Sequence, residues 1–175
     1  MTSFSRSFCV FALLSLLSAC ASAPPSVPGP AALTSSTPEQ MVAEVRASAG
    51  DGEGELAVQP LRDARVEDLR QTAARLETQT HYADTAKALD AALAIVPDDP
   101  ALLQERAEAA LLLRDYATAE KLASRAYALG SQVGPLCRRH WATVRQTRLV
   151  AGDAAGAASA QRQVEGCKVA APNRF

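Results

Sequence analysis

The chain has 175 residues, 48% hydrophobic, 5% aromatic and 21% charged, with a formal net charge of −1. So balanced a charge gives no reason to expect a nucleic acid as a partner, and the length suits one domain. Abundant alanine with few aromatics favours close-packed helices over a sheet.

Residues 1–6 carry one positive charge, Arg6, and residues 8–17 are almost wholly apolar. That run is about half the roughly 20 residues needed to span a bilayer. A charged start, a short apolar run and a small-residue exit describe a secretory signal peptide. The exit, Leu17-Ser18-Ala19-Cys20, resembles the lipobox of bacterial lipoproteins. The resemblance implies cleavage after residues 1–19 and a diacylglyceryl group on the Cys20 sulfur, whose thiolate is the strongest side-chain nucleophile for that transfer. Ala21, in the position that directs sorting in that family, is compatible with the outer membrane. The expected location is the bacterial cell envelope, lipid-anchored at the outer membrane and facing the periplasm. The alternative is an ordinary secretory signal with an incidental cysteine.

Residues 20–36 hold the expected lipidated cysteine and a Pro/Ala/Ser-rich linker. Such a composition cannot bury a core, so the linker is expected to be disordered and extended, with a reach of roughly 50 Å at about 3 Å per residue. Residues 37–62 read as a short helix and a loop. Thr37 is the cap, Pro38 takes the first helical position and Gln40 completes a capping box. Met41, Val42 and Val45 give an apolar face, and the helix should stop near Gly50. The run Asp51-Gly52-Glu53-Gly54-Glu55 is turn-prone. From about Asp63 the pattern is helical.

An internal repeat follows. Tyr82 precedes Ala86, Leu89, Ala92, Leu93 and Pro97. Tyr116, thirty-four positions later, precedes Ala119, Ala123, Ala126 and Leu129. This pattern resembles tetratricopeptide (TPR) repeats, which pair two helices in each 34-residue unit. The resemblance covers residues 63–168, as repeats at about 66–99, 100–133 and 138–168, with a tail at 169–175. Leu69, Ala73 and Leu76, then Thr85, Leu89, Ala92 and Pro97, take the motif positions of the first repeat. Leu103, Ala107 and Ala110, then Ala119, Ala123 and Ala126, take those of the second. Small residues let paired helices approach closely, and larger ones fill the space between hairpins. The third repeat is weaker. Gly152-Asp153 marks its turn and Trp141 falls at the tryptophan position. That register needs about four extra residues around 130–135, and it puts Arg145 and Arg148 where small and aromatic residues are usual. The implied fold is all-α: antiparallel helical hairpins stacked as a short TPR-like solenoid, after a cleaved signal peptide and a disordered linker. An Ala-rich helical bundle with an accidental period is the alternative.

Of four cysteines, Cys9 leaves with the signal peptide and Cys20 carries lipid. Cys137 and Cys167 remain, an even pair for an oxidising compartment. The repeat register places Cys137 just before the first helix of the third hairpin and Cys167 near the end of the second. A disulfide between them is expected, the alternative being two buried free thiols.

No catalytic pattern is present. His81 and His140 belong to no metal-ligand spacing, and no nucleophile elbow or phosphate-binding glycine loop occurs. Asp98-Asp99 reads as a capping turn rather than a metal site. No enzyme activity, cofactor or metal is expected. The TPR resemblance instead implies a concave, partner-binding groove lined by Glu67, Arg70 and Glu77, then Gln104, Glu108, Leu111 and Leu112, then Arg139 and Gln146. Lining of that kind suits an envelope protein partner. The expected function is a membrane-anchored envelope adaptor or assembly factor acting through protein–protein interaction. The alternatives are a passive or self-associating envelope component and an accessory subunit of a cell-wall enzyme.

Overall fold

The computed structural model describes residues 29–50 and 63–168. The cleavage motif Leu17, Ser18 and Ala19, the lipidation residue Cys20, most of the linker, the acidic loop and the tail lie outside the described residues. The described residues hold seven α-helices and no strand.

Six helices form three hairpins: α2 (Ala64–Thr78) with α3 (Tyr82–Ile95), α4 (Pro100–Leu112) with α5 (Tyr116–Leu129), and α6 (Gly134–Val150) with α7 (Ala154–Gly166). Each helix packs on the next in chain order. One turn is built three times. In the first, the His81 N–H donates to Leu76 O and the Thr80 N–H to Glu77 O. Asp115 and Arg114 repeat these bonds to Ala110 and Leu111, and Asp153 and Gly152 repeat them to Arg148 and Leu149. This is the Schellman ending, which satisfies the last carbonyls of a helix and requires a left-handed residue after the cap. Thr80, Arg114 and Gly152 are those residues, with φ of 60°, 60° and 73°. Their spacing is 34 residues and then 38.

The four extra residues do not form a loop. They lengthen α6, which has 17 residues against 13 in α4. Pro135 fits because the first turn has no N–H partner to lose. Cys137 therefore sits inside the first turn of α6, not before the helix, and Cys167 caps the end of α7. Their Cα atoms are 5.7 Å apart and the sulfurs are bonded. The Gly134 N–H donates to Cys167 O at 2.7 Å, closing the same end of the hairpin. Arg148, in a position usually apolar, pairs with Glu120 on α5 and with Asp153 in the turn.

Alanine dominates the buried faces. Ala92, Ala107, Ala110, Ala119, Ala123 and Ala126 are fully buried where helices cross. Leu102, Leu103 and Leu111 supply the bulk between hairpins. Asp99 caps α4 by accepting from the Ala101 and Leu102 N–H groups, and Asp98 pairs with Arg125, so this dyad organises a turn.

The remaining helix, α1 (Pro38–Ala47), belongs to no hairpin. Thr37 and Gln40 form the reciprocal capping box at its start. It lies against α4 and α6, which also touch each other. Residues 29–36 differ from the mobile linker that their composition predicts. The Leu33 N–H donates to Leu149 O at 2.8 Å, over the α6–α7 turn. A helix end leaves spare carbonyls, and Gly152, with no Cβ, leaves room for Pro30 and Ala31.

Candidate functional site

The hairpins place α2, α4 and α6 in an inner row. The expected groove residues all lie on these helices, and the row is divided into a filled half and an open half.

Over α4 and α6 the groove is filled by α1. Val42 and Val45 join Ala110, Leu111, Leu112, Ala119 and Ala142 in one buried cluster, and Met41 is buried beside them. Burying each such side chain contributes roughly 2 kcal/mol. Beneath them lies a polar network. Glu108 is 0% exposed. Its carboxylate accepts from Arg46 Nε at 2.8 Å, from Gln104 Nε2 at 2.9 Å and from Arg139 Nε at 3.0 Å, with a second Arg139 nitrogen also bonded. Arg46 also grips Glu77 through both terminal nitrogens, at 2.7 and 3.0 Å. These bonds to Glu77, with the Glu108 charge, raise the Arg46 pKa further above its ordinary value. The guanidinium is therefore a fixed cation joining three helices. Gln146 Nε2 donates to Glu44 of α1 at 2.6 Å, and Arg138 donates to the α1 C-terminal carbonyls of Ser48 and Ala49.

Gln104, Glu108, Leu111, Leu112 and Gln146 thus face inward but are not solvent-exposed groove positions. The chain's own α1 and the network beneath it bury them. That is a correction to the expectation of an open surface there.

A buried histidine anchors the network. His140 is 1% exposed and its Nδ1 lies 2.8 Å from Gln104 Oε1. The Gln104 amide nitrogen is committed to Glu108 and to Thr143, so its oxygen faces the ring, and Nδ1 is the donor. Nε2 is left with no hydrogen-bond partner among the described residues. Burial, then the nearby Arg139 charge, lowers the His140 pKa from 6.5 to about 4. Its neighbour Trp141 stacks edge-on with Tyr127 at 4.9 Å. Sequence pattern gave no sign of the His140–Gln104 pair, because the partners are far apart on separate helices.

Between α2 and α4 the inner row is open. These two helices are bridged by the Arg70–Glu105 ion pair, with Arg70 also 2.9 Å from Glu67. The resulting cleft has a volume of about 540 Å³. Its walls carry Glu67, Arg70, Glu77 and Arg139 of the expected set, joined by Arg46 and Glu105. Its base is Ala73, Thr85 and Leu89, and Gln71, Ala74 and Thr78 stand exposed at its rim. Charges of both signs are paired across it, and no cluster of three or more metal-ligating groups occurs among the described residues. Fixed donors and acceptors around a small apolar floor suit the binding of a peptide segment.

The fold has a solved counterpart. The chain is similar to the globular C-terminal domain of LpoP from P. aeruginosa, with 29% identity and a TM-score of 0.56. The likeness covers 60% of this chain and 99% of that one, a share close to the extent of the three hairpins. No protein-family model matches the chain, and no curated protein does. The likeness supports the all-helical hairpin array directly. None of the described helices is long and apolar enough to cross a membrane.

Proposed function

We propose that this chain is a lipid-anchored accessory protein of the bacterial envelope. Its hairpin array binds a protein partner, and a cell-wall enzyme is the class of partner favoured. The observation that carries this reading is the likeness of this chain to the LpoP domain, at 29% identity over 60% of this chain and 99% of that domain. That domain is the C-terminal globular part of its protein, and the hairpins here likewise follow an N-terminal segment. The match favours an accessory subunit over a passive envelope component. The open cleft beside α2 supplies a surface of suitable size, and the paired charges on its walls would fix the orientation of a bound segment. The Cys20 lipobox accounts for location, with the outer membrane as the favoured site. The role is one of binding, and catalysis is left to the partner.

The test is chemical crosslinking in intact envelopes followed by pull-down, comparing the native protein with Ala74→Arg. Ala74 is exposed on the cleft rim, so the substitution pushes a long charged side chain into the opening without touching the core. The expected result is a discrete partner captured by the native protein and lost from the variant. Capture of self alone, or an equal yield from both proteins, would count against the reading.

A further inference from the structure

We propose that the groove over α4 and α6 is a receptor for amphipathic helices, with α1 as its intramolecular ligand. The partner then docks there through a helix of the kind that α1 displays. This deepens the accessory-subunit reading and rests on it. The recognised pattern is written in α1: apolar residues at i, i+1 and i+4, and an arginine at i+5, as Met41, Val42, Val45 and Arg46.

Three observations carry the inference. First, α1 stands outside the hairpin order and packs mainly on the inner faces of α4 and α6, with side-chain bonds from Arg46 to Glu77 of α2 and from Tyr82 of α3 to Glu39. Those faces hold six residues placed by the repeat register at ligand-facing positions, Gln104, Glu108, Leu111, Leu112, Arg139 and Gln146. Second, the junction has the chemistry of recognition. A helix serving only as core would be held at least as well by apolar contacts, since a buried ion pair seldom adds stability over a hydrophobic replacement. Here Glu108, 0% exposed, is set between Arg139 of the groove and Arg46 of α1. The arrangement reads an arginine at one register of an incoming helix and disfavours a helix without it. Third, the C-terminal end of α1 borders the open cleft. Arg46 and Ala49 line that cleft, and the Arg46 side chain is 45% exposed there. A partner segment that enters the cleft meets the edge of α1 and the Glu77–Arg46–Glu108 chain first. A helix of 10 residues is too short to hold its shape alone in water, so α1 orders on docking and loses its order on release.

The probe is a fluorescein-labelled peptide of residues 36–50 added to the full-length protein. In the native protein the tethered α1 competes at an effective concentration of roughly millimolar. Micromolar peptide should then show little binding. The Val45→Asp variant places a charge at the buried anchor of α1 and should bind the native peptide about 100-fold more tightly than the native protein does. A peptide carrying Arg46→Glu should lose that gain. Failure of the variant to bind while the hairpins keep their helical circular dichroism would overturn the proposal, as would equal binding of both peptides. A variant dimer formed by exchange of α1 would overturn it too, since the occupant would then be a second copy. Should Val45→Asp not fold, amide hydrogen exchange of the native protein decides. Opening of α1 before α4 supports the proposal, and exchange of both only through global unfolding overturns it. A partner still captured from envelopes in the crosslinking test would leave the accessory reading standing and confine the partner to the open cleft.

Discussion

Acid should weaken the junction of α4 and α6 through one group, His140. The ring is 1% exposed, donates from Nδ1 to Gln104, and has its pKa lowered from 6.5 to about 4, first by burial and then by Arg139. In the unfolded chain the ring regains its ordinary pKa. Between the two values the unfolded chain takes up a proton that the folded one refuses, so stability falls as pH drops through that window. The effect of this group fades as pH rises past 6.5 and is gone about one unit above it. The full shift corresponds to about 3 kcal/mol, of which about 2–3 kcal/mol is lost by roughly pH 4.5. The assay is urea unfolding at pH 7.5 and pH 4.5 for the native protein and for His140→Asn, which keeps a donor for Gln104 but cannot titrate. Several carboxylates, the exposed Asp63, Asp84 and Asp115 and the half-buried Asp153 among them, have pKa values lowered mainly by hydrogen bonds and also lose stabilisation in acid. They are present in both proteins, so the difference between the two acid losses isolates the histidine. The native protein should lose about 2 kcal/mol more than the variant. Equal losses would refute the buried neutral ring and the network drawn around it.

Three further outcomes follow from the same structure. Replacing both Cys137 and Cys167 by serine opens a cross-link spanning 30 residues. It should cost about 3–4 kcal/mol and lower the melting temperature by about 15 °C or more, as read by calorimetry without reductant. Gly152→Ala forces a Cβ into a residue at φ 73° and to within 2.6 Å of Ala31 O. A loss of about 1–2 kcal/mol is expected, measured by chemical denaturation, whereas an unchanged midpoint would show that residues 30–33 do not hold the turn. Cys20→Ala should move the protein from the membrane fraction to the soluble one with the circular dichroism of the hairpins intact, and a native protein already soluble would contradict the anchor.

Local signals were legible in the sequence. The start of α1 could be read because Thr37, Pro38 and Gln40 act within one turn. The hairpins could be read because Tyr82 and Tyr116, with their trailing alanines, repeat one local geometry. The third hairpin was legible only in part. The added turn of α6 follows Gly134-Pro135, a pair that reads as easily as a loop as a first turn. The destination of α1 was not legible at all. Met41, Val42 and Val45 announce a buried face, but nothing local says what buries it, and Arg46 and Glu108 meet only once the hairpins are stacked. For the same reason the repeat register could mark Gln104, Glu108 and Gln146 as inward-facing without indicating that the chain itself covers them. The last linker residues escaped because Leu33 is held by a backbone bond to Leu149, which leaves no trace in composition.

Whether the open cleft holds an envelope partner is decided by a site-specific photocrosslink in living cells. A photoreactive residue would be placed at Gln71, exposed on the rim of the open cleft, and in a second strain at Lys121, exposed on α5 away from it. A discrete adduct with an envelope protein is expected from position 71 and none from position 121. No adduct at position 71, or the same adducts at both positions, would contradict the proposed function.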